Sequence, residues 1–188
     1  MYEEAEVPLT TIHLGGDEVP EGAWMGSPVC RTFMDENGMT SAHELSEYYI
    51  TKMADYLQQH HLQFSGWQEV ALGHPETTDR HLNQLAAGVY CWNTVPEWEA
   101  DEIPYQIANK GYPVILCNVN NFYLDLAYDA HPDERGLSWA GYVDESKGFS
   151  MLPYSIYRSS RTDMVGNPVD PDIAGKGIAN PIATILSA

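Results

Sequence analysis

The sequence predicts an α/β protein in which parallel strands are covered by helices on both faces. Short runs rich in apolar and β-branched residues alternate with segments of helical periodicity, the pattern of repeated β/α units. Each strand-like run is apolar along most of its length, which indicates a strand buried on both faces. The four predicted strands are residues 9–14, 62–67, 88–92 and 113–117.

Composition and charge limit the classes of partner. The 188 residues include 44% hydrophobic residues, enough for a folded core, and no apolar run is long enough for a membrane span. The 27 acidic residues outnumber the 9 Lys and Arg, and the net charge of −18 disfavours nucleic acids and anionic membranes as partners. Three cysteines without CxxC spacing predict neither a disulfide framework nor a zinc knuckle.

Helix signals separate the predicted strands. Ser41 and Glu44 form a capping-box pattern, and apolar residues at three- and four-residue intervals predict a helix over residues 42–60. Its predicted buried face consists of Leu45, Tyr49, Met53, Tyr56 and Leu57.

The remaining loops and helices are predicted in less detail. Glycines and prolines between residues 15 and 41 predict a long loop, and residues 79–85 suit a short helix. Residues 96–110 suit a helix that Pro104 kinks or restarts and that Gly111 stops. The polar stretch from residue 159 to 188 predicts a loose loop and terminus.

Two adjacent carboxylates, Asp17 and Glu18, follow the first strand and a Gly15-Gly16 pair. Parallel α/β folds place catalytic groups after strand ends, and the glycines allow the chain to leave the pleat so that both acids face one pocket. A solvated acidic loop is the alternative. Adjacent acids do not straddle a sugar ring as an ordinary glycosidase pair does, so a reaction in which a substrate group is the nucleophile suits them better.

Six sequence motifs resemble, in order, those of the family 20 glycoside hydrolases, specifically bacterial chitobiase-like β-N-acetylhexosaminidases. The resemblance covers about residues 10–173 and implies part of a (β/α)₈ TIM barrel, about strands 4 to 7 with their helices. Residues 1–188 would then be a fragment of one catalytic domain. The motifs are His13-Leu-Gly-Gly-Asp-Glu-Val19, Pro20-Glu-Gly-Ala-Trp24, Gly66-Trp67-Gln-Glu69, Val89-Tyr-Cys-Trp92, Asn121-Phe-Tyr-Leu-Asp125 and Trp139-Ala-Gly141.

The resemblance implies three catalytic roles. Glu18 would be the general acid and then the general base, its protonated form favoured by burial and by the neighbouring carboxylate. Asp17 would stay ionised, orient the acetamido N–H and stabilise the oxazolinium-like intermediate. The Tyr123 hydroxyl would donate to the acetamido carbonyl oxygen.

Four further residues would bind the sugar. Trp67 and Trp92 would wall the acetamide pocket, Trp139 would stack on the next sugar, and Asp125 would accept hydrogen bonds from ring hydroxyls. A single strand-end tryptophan is more often a core residue. Structural roles are expected for His13, Trp24 and Trp98, and solvated or structural ones for Glu69, Asp144 and Glu145. No His, Cys and carboxylate spacing predicts a metal, and no cofactor is expected.

Three hypotheses about function stay open. The first is hydrolysis of terminal β-linked N-acetylhexosamine (GlcNAc or GalNAc) from chitin oligosaccharides by a longer protein, bacterial and periplasmic, outer-membrane-anchored or secreted. The second is an inactive fragment that at most binds the sugar. A (β/α)₈ barrel needs about 250 residues, so half of it would be absent from this chain, and exposed barrel edges favour self-association. The third is a metal-dependent carboxylate hydrolase.

Overall fold

A computed structural model describes residue 2, residues 4–20 and residues 22–156. It is an α/β structure with a four-stranded parallel sheet in the order β1-β2-β3-β4. Thr11, Ile12 and His13 of β1 pair in parallel with Gln63, Phe64 and Ser65 of β2. The strands are β1 Thr11–His13, β2 Gln63–Trp67, β3 Ala86–Cys91 and β4 Val114–Leu116, so the four predicted strands are confirmed.

The described part of the chain contains seven α-helices and two short 3₁₀ helices, Gln68–Ala71 and Pro96–Trp98, and all but the last two α-helices lie between strands. The α-helices are α1 Gly22–Met25, α2 Pro28–Asn37, α3 Ala42–Gln59, α4 Glu76–Leu85, α5 Ile103–Asn109, α6 Val119–Phe122 and α7 Glu145–Phe149. None of the described helices is both long and apolar enough to cross a membrane.

The chain divides into two compact units, unit 1 (Met1–Val89) and unit 2 (Tyr90–Ala188). Unit 1 contains α3, whose capping box is present as predicted: the Ser41 hydroxyl accepts from the Glu44 N–H, and the Glu44 carboxylate accepts from the Ser41 N–H. The predicted buried face of α3 is wrong in part, because Tyr49 and Tyr56 are exposed.

The residues of α3 that are buried are Ile50, Ala54 and Leu57. They also recur at four- and three-residue intervals, on a stripe rotated from the predicted one. The tyrosines misled the prediction because an amphipathic phenol ring can keep its hydroxyl in water while still counting as apolar in the sequence pattern.

The long loop predicted between residues 15 and 41 is wrong over part of its length, because α1 and α2 lie there. Ser27 is the N-cap of α2 and its hydroxyl accepts from the Cys30 N–H, while Pro28 occupies the first turn. Gly38 ends the helix in the left-handed conformation, with φ of 67°. Proline and glycine therefore mark the two ends of a helix here rather than a loop.

In unit 2, the helical segment predicted over residues 96–110 is restarted at Pro104, one of the two predicted alternatives, and consists of two separate helices. A 3₁₀ turn at Pro96–Trp98 ends at Glu99, which has φ of 56°, and α5 begins at Ile103 with Pro104 in its first turn. Proline is tolerated there because the first N–H groups of a helix have no intrahelical acceptor. The core cluster of this unit consists of Val95, Val119, Leu126, Ala140 and Val143. The loop predicted for residues 159–188 lies outside the described residues.

Candidate active site

The chain leaves the pleat directly after β1. Gly15 and Gly16 have φ of 72° and 103°, and Glu18 itself has φ of 43°, in the left-handed region that non-glycine residues rarely adopt. Backbone strain of this kind often occurs at functional sites. The predicted departure from the strand is therefore observed, and it falls on the two carboxylates that the sequence singled out.

Asp17 and Glu18 are both exposed in this structure. The burial expected for Glu18 is therefore not found, because within unit 1 its side chain extends from a turn rather than from the interior. A cavity of about 540 Å³ exists in unit 1, but it lies at the N-terminal segment, and neither carboxylate contributes to it. Its walls are Tyr2, Glu6, Val7, Pro8 and Leu9.

His13 supports the turn that carries the carboxylates. Its Nδ1 accepts a hydrogen bond from the backbone N–H of Gly15 at 3.1 Å, which requires that nitrogen to be unprotonated. Partial desolvation lowers the pKa of His13, and the negative charge of Asp17 opposes this shift. The imidazole also packs edge-on against Trp67, with ring centroids 5.2 Å apart. The structural role expected for His13 is supported by these contacts.

Trp67 ends β2 and is half-buried, so it is neither a full core residue nor a free surface ring. Its backbone N–H donates to the carbonyl of Gly15 at 2.9 Å. This bond ties the end of β2 to the turn after β1, and it places Trp67 in the same unit as Asp17 and Glu18.

Unit 2 carries the other predicted sugar-binding residues, and an aromatic cluster is centred on Trp139. The Trp92 and Tyr123 rings lie edge-on to Trp139, at centroid distances of 6.3 Å and 6.2 Å. The Trp98 ring stacks on Trp139 at 5.7 Å, with 14° between the ring planes. Trp98 is 53% exposed and Trp139 39% exposed, so this stack faces solvent.

A structural role was expected for Trp98, and the structure places its ring in this exposed stack. Trp98 lies at the end of a 3₁₀ turn and is followed by Glu99 in the left-handed conformation. Spacing could not have located this stack, because Trp98 and Trp139 lie far apart along the chain. Two stacked and exposed indole rings form a flat apolar surface of the kind that binds the face of a sugar ring.

Buried polar contacts hold the segment next to Trp139. The Thr94 hydroxyl donates to Oδ1 of Asn120 at 2.7 Å, and Nδ2 of Asn120 donates to the carbonyl of Ala140 at 3.0 Å. Asp125 is exposed, and its backbone carbonyl accepts from the N–H of Leu137 at 2.8 Å. The predicted role of Asp125 in binding ring hydroxyls stays a prediction.

The predicted site residues fall in both units. Asp17, Glu18 and Trp67 belong to unit 1, and Trp92, Tyr123, Asp125 and Trp139 belong to unit 2. Carboxylates after a parallel strand, together with aromatic platforms, are the groups with which barrel enzymes act on carbohydrates. A parallel α/β fold with carboxylates after a strand is typical of the class of barrel glycoside hydrolases.

The chain belongs to glycosyl hydrolase family 20, because the model of that family's catalytic domain matches residues 4–170. A beta-hexosaminidase of Vibrio vulnificus is 31% identical over 159 residues, which are 83% of this chain and 18% of that protein. The N,N'-diacetylchitobiase of Vibrio harveyi is 26% identical over 209 residues, covering 94% of this chain and 23% of its own length.

Solved structures agree with the fold. The exo beta-N-acetylglucosaminidase of Vibrio harveyi in complex with N-acetylglucosamine aligns with a TM-score of 0.58 and 27% identity, over 81% of this chain and 22% of that one. A chitobiase of Flavobacterium johnsoniae aligns with a TM-score of 0.52 and 27% identity, over 73% of this chain and 21% of that one. The predicted fold class, part of a TIM barrel, is confirmed. The chain spans about a fifth of the length of these relatives.

Proposed function

We propose that this chain provides the central part of the catalytic barrel of a β-N-acetylhexosaminidase that removes terminal non-reducing β-linked N-acetylhexosamine. The observation that carries the proposal is the Asp17-Glu18 pair after β1, in a turn where Glu18 has φ of 43°. The N-acetylglucosamine bound by the Vibrio harveyi relative makes β-linked GlcNAc the first substrate to test.

The mechanism proposed is substrate-assisted and retaining. Glu18 protonates the leaving oxygen while the acetamido carbonyl of the substrate attacks the anomeric carbon, and Glu18 then takes a proton from the water that opens the oxazolinium-like intermediate. Asp17 orients the acetamido N–H and balances the developing positive charge. Tyr123 donates a hydrogen bond to the acetamido oxygen, and Trp67 and Trp92 hold the acetamide.

The test is hydrolysis of 4-nitrophenyl N-acetyl-β-D-glucosaminide by the protein containing the complete barrel. Glu18→Gln removes the proton donor without changing size, and kcat is expected to fall by about 10²- to 10⁴-fold. Tyr123→Phe is expected to cost about 10²- to 10³-fold. Glu36→Gln, at an exposed acid on α2, is the matched control and should leave kcat unchanged. Unchanged turnover in Glu18→Gln overturns the proposal.

A second candidate applies to the isolated 188-residue chain, which we propose binds the sugar without turnover. The exposure of Asp17 and Glu18 favours it, because a general acid in open solvent lacks the preorganised, water-excluding pocket on which transition-state stabilisation depends. Calorimetric titration with N-acetylglucosamine thiazoline tests it. Saturable binding without hydrolysis supports this candidate, and measurable turnover by the isolated chain contradicts it.

A further inference from the structure

Three metal-ligating side chains of unit 1, none of them in the candidate active site, lie together at the start of α3. His43 and Glu47 are one turn apart on that helix, and His74 belongs to the loop before α4. One ligand atom from each lies within 4.8 Å of the other two. The sequence did not predict this cluster, because His74 is far from the helical pair along the chain.

The surroundings of His74 favour a bound cation. Its side chain is 2% exposed, and its Nε2 lies 2.9 Å from the carbonyl oxygen of Val70. A carbonyl can only accept, so Nε2 carries the proton and Nδ1 of the neutral ring presents a lone pair. Nδ1 is buried and has no hydrogen-bond partner in the described part of the chain.

The lone pair on Nδ1 of His74 faces the carboxylate of Glu47, which is also a hydrogen-bond acceptor. Oε2 of Glu47 lies 3.7 Å from Nδ1, while Oε1 of the same carboxylate accepts from the Thr78 hydroxyl at 2.7 Å. Two acceptors that face each other repel unless a proton or a metal ion lies between them. The bonds to Val70 and Thr78 also hold the imidazole and the carboxylate in fixed orientations, as the outer partners of metal ligands do.

His43 supplies the third ligand from the exposed side. Its ring stacks on that of His74, with centroids 5.6 Å apart and 20° between the planes. It lies against the backbone of Gly73, where an added Cβ would be 2.8 Å from Nε2 of His43. Glycine at position 73 therefore makes room for this imidazole. Because His43 is exposed, its side chain can rotate toward the other two ligands.

We propose that His43, Glu47 and His74 bind a divalent transition-metal ion of the zinc class. Two imidazoles and one carboxylate suit Zn²⁺, whereas Mg²⁺ and Ca²⁺ prefer sites made of oxygen atoms. Ligand atoms of a tetrahedral zinc site lie about 3.4 Å apart, so the pair formed by His74 and Glu47 needs only a small adjustment. Three protein ligands leave a fourth position for water or another donor. The ion would tie the start of α3 to the loop before α4.

The experiment is calorimetric titration of the EDTA-treated and dialysed 188-residue chain with Zn²⁺. One ion per chain is expected, and Co²⁺ bound at the same site should show visible absorption typical of a tetrahedral ion. His43→Ala is expected to weaken Zn²⁺ binding at least about tenfold. His43→Ala is the decisive variant because His43 is exposed. Glu47 also bonds to Thr78, so its replacement would disturb packing. Mg²⁺ and Ca²⁺ should not displace Zn²⁺.

His81→Ala is the matched control. His81 is also an exposed histidine of unit 1 beside a carboxylate, with Nε2 2.7 Å from Oδ1 of Asp55. If Zn²⁺ binds any surface histidine near an acid, both variants lose affinity equally and the proposal is overturned. It is also overturned if the folded chain, verified by circular dichroism, takes up no ion. A proton shared by His74 and Glu47 then explains their contact. Neither readout depends on hydrolysis, so the result is independent of the proposed function.

Discussion

A Cβ atom added to Gly16 would lie 2.6 Å from Cγ1 of Val70. The same methyl group would lie 2.6 Å from a Cβ at Gly66, so the Val70 side chain fills space that two glycines leave open. Gly16 directly precedes the carboxylate pair and has φ of 103°. The turn that presents Asp17 and Glu18 therefore depends on close packing as well as on backbone conformation.

Gly16→Ala is expected to destabilise the chain by about 2 kcal/mol or more, because alanine meets both the clash with Val70 and an unfavourable φ. Urea unfolding measures the loss. Gly22→Ala is the matched control, since a Cβ there meets nothing within 4 Å. Adding Val70→Ala to Gly16→Ala should recover only the part of the stability loss that comes from the clash, and not the part that comes from the unfavourable φ. Equal stability of the two glycine variants would contradict this account of the turn.

Asn120→Ala is expected to destabilise the chain by about 1–3 kcal/mol, because it leaves the Thr94 hydroxyl and the Ala140 carbonyl without their partner in a buried site. The thermal unfolding midpoint and urea titration measure this effect. The control is Asn37→Ala, which removes an exposed hydrogen bond to the carbonyl of Phe33 and should cost less than about 0.5 kcal/mol. Similar losses in both variants would show that burial of Asn120 is unimportant.

Trp98→Ala tests the exposed stack on Trp139 and depends on the proposed function. In the protein with a complete barrel, KM for chitin oligosaccharides is expected to rise by about 3- to 10-fold, since one aromatic platform is lost. Affinity for the thiazoline inhibitor, which fills only the terminal sugar position, should not change. Phe149→Ala removes another aromatic ring, 94% exposed, and should leave both quantities unaltered. If only the affinity for the thiazoline changed, Trp98 would contact the terminal sugar position instead.

The lowered pKa of His13 makes stability depend on pH. Between the ordinary value of 6.5 and the lower pKa of the folded state, the unfolded chain binds a proton that the folded chain does not. The contribution of His13 to the free energy of unfolding is therefore fully present above pH 6.5, and it decreases as the pH falls through that window. Urea unfolding at a series of pH values measures the slope.

His13→Asn is the control for this pH dependence. Asparagine can still accept from the Gly15 N–H but does not titrate, so the loss of stability below pH 6.5 should be smaller in the variant. Asp17→Asn removes the charge that raises the pKa of His13, and it should extend the window to lower pH. Identical slopes in the wild type and His13→Asn would exclude His13 as the source.

The sequence alone determined the features that depend on neighbouring residues. Apolar runs located all four strands, and Ser41 and Glu44 located the start of α3, because hydrophobic periodicity and capping act over a few residues. The glycines before Asp17 predicted that the chain would leave the pleat there, since φ above zero is a local property of the backbone.

Only the tertiary structure decided the features that join distant residues. The buried stripe of α3, the stack of Trp98 on Trp139, and the cluster of His43 with His74 were not predictable from spacing. The adjacent carboxylates remain the centre of the proposed site, but the exposure of Glu18 in this chain was also a tertiary result. The physical reason is that packing depends on which elements cover each surface, and local sequence patterns do not contain that information.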